Sequence, residues 1–175
     1  RELVRAMRSA TRRPVTVKHR IGIDGRESYE QMREFVEVVS EAEPARFTVH
    51  ARIAVLGGLS PKENRTVPPL RCGEVYRLER ERPRLQIEIN GHVGSIDEIE
   101  AHLDRVDGVM VGRAAYDHPW LFADVDERFF GTDHADRPTR RRAVDGMLPY
   151  LDRWCAAGWP ARNVLRHMLG LFAFC

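Results

Sequence analysis

The sequence has few cysteines, almost no lysine and no long uninterrupted hydrophobic run. Its three cysteines, Cys72, Cys155 and Cys175, lie far apart and form no C-x-x-C pair, which argues against a disulfide framework and a zinc site. Arg, Asp or Glu interrupts every apolar segment well before the roughly 18 residues of a membrane span. We therefore predict a globular, cytoplasmic protein with no membrane segment and no bound metal.

The start of the chain also lacks expected features. Arg1 is not an initiator methionine, and the residues after it do not follow the basic-then-apolar order of a signal peptide. The 175 residues, 43% of them hydrophobic, can form one core of ordinary size with a small element beside it. We expect that further sequence precedes this chain.

Positive charge is unevenly distributed. Residues 137–175 contain seven arginines and only two acidic residues, which suits a large anion such as RNA. Only Lys18 and Lys62 are lysines, so these two positions are candidates for sites that need a compact ammonium group. Chance placement is the alternative for both.

Helix and strand patterns alternate with short connections, which is typical of repeated βα units around a parallel sheet. Capping-box patterns at Ser28 with Gln31 and at Ser95 with Glu98 mark the starts of two helices. The predicted strands are residues 14–18, 47–50, 86–90 and 108–111. Beyond the second capping box, we predict a short helical stretch that ends near residue 131. A polar linker at 132–138 follows it, and then two helices at 139–157 and 161–172.

Four βα units fit either half of an eightfold barrel or a small open sheet. Each predicted strand ends at, or just before, a polar or charged side chain: Lys18, His50, Asn90 and Arg113. Barrel enzymes place their chemistry at this end of the strands. We therefore predict an α/β fold in which residues 1–131 form the C-terminal half of a TIM (β/α)8 barrel. A small, incomplete α-helical domain, residues 132–175, follows it.

Two glycine-containing strand ends are typical of a phosphate site. Asn90-Gly91-His92 and Gly112-Arg113 combine exposed backbone N–H groups with one guanidinium. Barrel enzymes often bind phosphate in the loops after their last two strands. The alternative is that each glycine only turns the chain.

Lys18 and His50 are candidates for contacts to a flavin. A lysine at the end of an apolar strand is costly to bury without an anion, and a flavin becomes negative at its N1–C2=O2 edge on reduction. An ion pair with Glu88 is the alternative for Lys18, and a satisfied core histidine is the alternative for His50. His19 should point to the opposite face and be structural.

The loop from Gly57 to Arg65 presents Lys62 and Arg65, which could hold a phosphodiester backbone. A solvated surface loop is the alternative. Arg52 is a further candidate for RNA contact. The tail aromatic residues Trp154, Trp159 and Phe172 are predicted to be core residues.

Several segments together resemble the A class of the tRNA-dihydrouridine synthase family, over residues 14–171. They are Pro14–Gly22, Val49–Arg52, Gly58–Arg65, Ile87–Gly91, Val106–Tyr116 and Arg166–Phe172. Other flavin barrels share the Lys, Asn-Gly and Gly-Arg positions. The Leu-Ser-Pro-Lys-Glu-Asn-Arg loop and the last segment are markers of this class.

The resemblance implies FMN-dependent reduction of D-loop uridines of tRNA, at positions 20 and 20a, with NADPH. It implies flavin and phosphate contacts by Lys18, His50, Asn90, Gly91, His92, Gly112 and Arg113, and tRNA contacts by Lys62, Arg65 and Arg52. The cysteine that protonates uracil C5 belongs to an earlier loop in the family and has no local match here. We therefore assign no catalytic residue and expect this chain alone to be inactive, and the full-length protein to be a monomer.

The chain departs from the family pattern at three places. Ile53-Ala54-Val55 replaces Lys-Ala-Trp, which removes a cation and an aromatic ring from the RNA-facing loop. His92 replaces a second glycine and needs a suitable φ angle. The family also continues past residue 175 into further basic helices. Two alternatives stay open: a small-molecule flavin oxidoreductase of the dihydroorotate dehydrogenase type, and an inactive gene fragment that at most binds RNA.

Overall fold

The computed structural model describes residues 1–133, 135 and 137–173. The strands are β1 (Thr16–Arg20), β2 (Arg46–His50), β3 (Ile87–Asn90) and β4 (Gly108–Met110). The α-helices are α1 (Glu2–Ala10), α2 (Tyr29–Ser40), α3 (Cys72–Glu81), α4 (Ile96–Leu103), α5 (Arg113–Asp117), α6 (Val125–Phe130), α7 (Arg140–Ala156) and α8 (Arg162–Met168). Short 3-10 helices are found at Glu63–Arg65, Pro119–Asp124 and Leu169–Phe172.

The four strands form one parallel sheet in the order β1-β2-β3-β4. Helices connect consecutive strands, so the predicted α/β fold of parallel βα units is confirmed, and it is consistent with a partial barrel. The register places Arg20 opposite His50, and His50 opposite Asn90. The carboxyl ends of β1, β2 and β3 therefore lie side by side.

The two faces of the sheet differ in polarity because side chains alternate along each strand. On one face, apolar strand residues pack against α2 and α3 in the core: Phe47, Val49, Ile87, Ile89, Met32, Val36, Val75 and Leu78. Burying a side chain of this size stabilises the fold by about 1.5–3 kcal/mol. The other face carries polar side chains: Lys18, Thr48, His50, Glu88 and Asn90.

The predicted capping box at the start of α2 is confirmed. Ser28 Oγ accepts a hydrogen bond from Gln31 N at 3.2 Å, and Gln31 Oε1 accepts one from Ser28 N at 3.1 Å. This fixes the start of the helix that packs Met32 and Val36 on the sheet. The second capping box, at Ser95 and Glu98, stays a prediction.

The chain divides into two compact units. The first comprises Arg1–Val93 and Asp97–Val111, and the second comprises Gly94–Ile96 and the described residues from Gly112 onward. The expected domain boundary at residue 131 stays a prediction about the whole protein.

The second unit is helical. The predicted stretch that ends near 131 is broken at Pro119, which starts a 3-10 helix, and α6 ends at Gly131 with φ 67°. The two predicted tail helices are found as α7 and α8. Of the predicted linker, His134 and Asp136 lie outside the described residues.

The prediction that Trp159 and Phe172 are core residues is wrong. Their side chains are 57% and 54% exposed. Trp159 lies between α7 and α8, and Phe172 ends the last 3-10 helix, so neither ring belongs to the two helices. Within the described residues, no helix has the length and apolar character needed to cross a membrane.

Candidate functional site

Asn90 links three strands at their carboxyl ends. Its Oδ1 accepts a hydrogen bond from Lys18 Nζ at 3.1 Å, and its Nδ2 donates to the carbonyl oxygen of Met110 at 2.8 Å. The side chains of β1 and β3 and the backbone of β4 are thereby joined through one amide. The register of the parallel sheet brings these residues together from distant parts of the sequence.

The alternative ion pair between Lys18 and Glu88 is not formed. Glu88 instead accepts hydrogen bonds from Arg46 Nη1 and, at 2.7 Å, from Thr48 Oγ1. The Glu88 carboxylate is satisfied one layer below the strand ends, and Lys18 is left with a neutral partner. Its ammonium charge is therefore available to an anion.

His50 lies between Arg20 and Asn90 in the register, and its Nε2 is buried without a hydrogen-bond partner in the described part of the chain. Burial, followed by the positive charges of Arg20 and Lys18, lowers the pKa of His50 to about 4. The imidazole is therefore neutral at pH 7, and Nε2 can make one hydrogen bond to a ligand.

Positive charge is concentrated around these strand ends. Burial and then Arg20 lower the pKa of Lys18, while burial, Arg65 and Arg52 lower the pKa of Arg20. Among the described residues, none of these four side chains forms an ion pair. We call Lys18, Arg20, Arg52 and Arg65 the cationic cluster, and its uncompensated charge favours an anionic ligand.

The Asn90-Gly91-His92 turn requires unusual backbone angles. Gly91 has φ +137°, and a Cβ atom there would lie 2.9 Å from Leu70 Cδ2 and 3.7 Å from Ala51 N. His92 has φ 55°, in the left-handed region that glycine adopts most easily. The structure thus accommodates histidine at the position where the family resemblance leads us to expect glycine.

Gly112 and Arg113 belong to the second unit. Gly112 precedes α5 and Arg113 is its first residue, with both residues exposed. Exposed backbone and guanidinium groups are available to a phosphate at this position of the chain. Their assignment to a phosphate site stays a prediction.

The loop of residues 51–70 carries the predicted RNA contacts. Lys62 and Arg65 are exposed; Lys62 precedes the 3-10 helix Glu63–Arg65, and Arg65 ends it. Ser60 and Glu63 are linked reciprocally, because Ser60 N donates to Glu63 Oε2 at 2.8 Å and Glu63 N donates to Ser60 Oγ at 3.3 Å. Arg52 differs from them because its side chain is buried and donates to the carbonyl oxygen of Pro68. Its predicted contact with RNA is untested.

His19 is confirmed as a residue of the opposite, helix-covered face. Its ring lies 5.0 Å from that of Phe35 on α2 and 6.1 Å from that of Phe47 on β2, measured between centroids. Its Nδ1 lies 2.7 Å from the carbonyl oxygen of Arg20. These contacts describe a structural residue.

Sequence reasoning missed Arg20 and Asn64. Arg20 Nη1 donates to the carbonyl oxygens of Ile53 and Asn64, at 2.6 and 2.8 Å. The sequence did contain one signal: Arg20 lies two residues after Lys18 on the same strand, so both side chains point to the polar face of the sheet. Nothing in the local sequence indicates the partners of Arg20.

Neither of the two described cysteines follows a strand of the sheet. Cys72 is half-buried at the start of α3, where burial raises the pKa of its thiol, and Cys155 is exposed on α7. Cys175 lies outside the described residues. No group of three or more His, Cys, Asp or Glu side chains suited to a metal ion is found in the described part of the chain.

The donor set of the first unit fits a flavin, the cofactor that the resemblance implies. The buried, unpartnered Nε2 of His50 and the ammonium of Lys18 can serve the polar edge of such a ring system. The uncompensated positive charge suits a group that carries phosphate and becomes more negative on reduction.

Comparisons with known proteins identify the family of the chain. The family model described as Dihydrouridine synthase (Dus) matches residues 1–174. The chain is 51% identical over 171 residues to a curated tRNA-dihydrouridine(20/20a) synthase of Synechocystis sp., 50% over 170 residues to one of Pseudomonas putida, and 47% over 172 residues to one of Escherichia coli. These alignments cover 98%, 97% and 98% of the chain and 51%, 50% and 52% of the relatives. The chain spans about half the length of the curated relatives it matches, and it belongs to the dihydrouridine synthase family.

Proposed function

We propose that this chain is the flavin-contacting and RNA-contacting portion of a tRNA-dihydrouridine synthase. The reaction is the reduction of the C5–C6 bond of D-loop uridines at positions 20 and 20a, with FMN as cofactor and NADPH as reductant. The observation that supports it most strongly is the cluster of Lys18, His50 and Asn90 at neighbouring strand ends, in a chain of this family.

FMN, when bound, supplies the hydride for the uracil ring. Lys18 holds a positive charge beside the cofactor where negative charge develops on reduction, and Asn90 fixes the position of that ammonium. His50, which is neutral at pH 7, offers Nε2 as a hydrogen-bonding group. The Asn90-Gly91-His92 segment of the first unit offers backbone N–H groups to phosphate. For Gly112-Arg113, in the second unit, phosphate contact is proposed from the sequence resemblance.

Lys62 and Arg65 hold the tRNA backbone while a uridine enters the site. Both side chains are exposed, and both lie on the loop that follows β2, at the carboxyl edge of the sheet. Arg52 is part of the same proposal, but its burial favours a contribution through the loop backbone at Pro68. No cysteine of this chain is proposed as the acid that protonates C5.

The sheet is proposed to be four consecutive strands of a (β/α)8 barrel. The apolar side chains of the central strands all face the core helices, and the opposite face is polar, as expected for strands that line a barrel with helices outside. A doubly wound sheet would need helices and apolar residues on both faces. Residues 1–131 and 132–175 are the corresponding proposed domains.

The family match favours this function over a small-molecule oxidoreductase of the dihydroorotate dehydrogenase type. The exposed Lys62 and Arg65 are also better suited to RNA than to a small substrate. Dependence of NADPH oxidation on tRNA separates the two functions.

The test is a titration of the purified protein with FMN, followed by flavin fluorescence. Saturable binding is expected, and Arg113→Ala should raise the Kd about tenfold or more, because a charge-assisted contact to phosphate is lost. Arg13→Ala, which removes an exposed arginine before β1, should leave the Kd unchanged. Equal affinity of the native protein and the Arg113 variant would contradict the proposed phosphate site.

A further inference from the structure

Arg20 connects the two limbs of the loop that carries Lys62 and Arg65. Its Nη1 atom donates to the carbonyl oxygen of Ile53 on the entering limb at 2.6 Å and to that of Asn64 on the returning limb at 2.8 Å. Both acceptors are neutral, and Arg20 forms no ion pair with the described residues. Its guanidinium therefore acts as a bridge between two backbone segments.

Asn64 makes a second connection between the same limbs. Its Oδ1 accepts a hydrogen bond from Val55 N at 2.9 Å, and its Nδ2 donates to the carbonyl oxygen of Val55. The entering limb is also fastened to the segment after β1, where Ala54 N donates to Gly22 O at 2.8 Å. Among the described residues, the hydrogen bonds that join residues 60–66 to the rest of the chain are those of Arg20 and Asn64 and the local bond from Val67 N to Glu63 O.

We propose that Arg20 is a positioning residue that holds Lys62 and Arg65 in place for the tRNA backbone, an inference that rests on the proposed function. A flexible loop would lose conformational entropy on binding RNA, and a bridge made in advance removes part of that cost. Both bonds come from Nη1, whose two N–H groups the planar guanidinium holds in fixed directions, whereas the N–H groups of a lysine ammonium rotate freely.

Direct contact between Arg20 and RNA is the competing explanation, because Arg20 belongs to the cationic cluster. Two measurements separate the explanations. Amide hydrogen exchange reports the order of the loop without RNA or flavin. A double-mutant cycle reports whether Arg20 acts through Lys62 and Arg65.

Hydrogen exchange is compared in the native protein, Arg20→Met and Asn64→Ala, with Arg13→Met as a control that loses an exposed arginine. The amides of residues 55 and 64 should exchange on the order of tenfold faster in both loop variants, because a hydrogen bond that fixes the loop is lost. The control should not change. Unchanged exchange in Arg20→Met would overturn the proposal.

For the full-length, FMN-loaded enzyme, Arg20→Met should raise KM for tRNA about tenfold, as expected for the loss of a hydrogen bond to a charged group, with a smaller fall in kcat. Arg20→Lys should not restore KM, and Asn64→Ala should change KM in the same direction. In a Lys62→Ala/Arg65→Ala background, Arg20→Met should have little further effect. Additive effects, or rescue by lysine, would show direct contact and overturn the positioning role.

Failure of the proposed function gives a different result. If Lys62→Ala/Arg65→Ala by itself leaves KM for tRNA unchanged, the loop does not bind tRNA, and the role of Arg20 in RNA binding is overturned together with that assignment. Faster exchange in Arg20→Met would then still show that Arg20 orders the loop.

Discussion

The protonation state of His50 follows from its surroundings. The ring is half-buried, lies beside Arg20 and Lys18, and has one nitrogen without a partner in the described residues. Burial and neighbouring cations both disfavour imidazolium. A neutral ring is the form that can accept, as well as donate, a hydrogen bond at a cofactor.

The pKa of His50, about 4, predicts that its ring stays neutral well below its ordinary pKa of 6.5. The unfolded chain takes up this proton near pH 6.5 and the folded chain does not, so His50 stabilises the fold above pH 6.5. This stability is lost as the pH falls towards 4. An NMR titration of the His50 Cε1–H shift measures the pKa, and Lys18→Met should raise it because one repelling charge is removed. Titration of the native ring near 6.5 would contradict the prediction.

Glu79, on α3, has a raised pKa, in contrast to the lowered pKa of His50. One of its carboxylate oxygens is buried without a hydrogen-bond partner in the described chain, and burial followed by the Asp107 carboxylate raises the pKa of Glu79 to about 7. Asp107 is held in place because its Oδ2 accepts a hydrogen bond from Ile87 N at 2.8 Å. Glu79 is therefore the group of this pair that takes the proton.

We predict that Glu79→Gln stabilises the protein at pH 8 and has little effect at pH 5. The folded chain keeps the Glu79 proton up to about pH 7, whereas the unfolded chain loses it near pH 4.5, so stability falls as the pH rises between these values. The gain at pH 8 should be about 1–2 kcal/mol, a value reduced for partial solvent screening. Thermal unfolding at both pH values measures it. Glu34→Gln, at an exposed position of α2, should show no such difference.

Close packing within the second unit depends on Gly170. A Cβ atom at this position would lie 2.8 Å from the carbonyl oxygen of Tyr116 and 2.9 Å from that of Asp117. Arg140 adds to this packing because its guanidinium lies 4.4 Å from the ring centroid of Trp120 and donates to the carbonyl oxygen of Leu171 at 2.7 Å. The sequence suggested that the arginines of this segment bind a large anion. The guanidinium of Arg140 instead makes its contacts within the second unit.

Gly170→Ala should lower the free energy of unfolding by about 1–3 kcal/mol, because the methyl group meets backbone atoms that cannot rotate away. Gly146→Ala is the matched control, since Gly146 lies inside α7 with nothing within 4 Å of its Cβ position. That variant should stabilise the protein by about 0.5–1 kcal/mol through helix propensity. Thermal unfolding of both variants provides the measurement. Equal stability of the two would show that the close approach at Gly170 is not maintained.

For the whole molecule, the proposed function predicts how salt affects tRNA affinity. Lys62→Ala/Arg65→Ala should make the dependence of log Kd on log salt shallower by about 1.4–1.8, because two phosphate contacts are lost. Arg12→Ala/Arg13→Ala removes the same charge from exposed positions before β1, at the amino edge of the sheet, and should leave the slope unchanged. Equal slopes for the two double variants would argue against specific contacts by the loop.

The strand-end residues Lys18, His50 and Asn90 could be predicted because their positions follow from period and connectivity. Parallel strands that alternate with helices have their carboxyl ends at one edge, so polar residues after each strand are brought together. The partners of Arg20 could not be predicted, because they are carbonyl oxygens 33 and 44 residues away. Backbone acceptors carry no residue-type signal.

The sequence by itself determined the order of elements, the capped start of α2 and the polar face of the sheet, since these depend on local periodicity and hydrogen bonds between near neighbours. The tertiary structure alone decided that His50 is neutral, that Glu88 pairs with Arg46 and Thr48, and that the loop after β2 is fastened through Arg20. Each of these depends on desolvation or on contacts between distant segments, which exist only once the chain is packed.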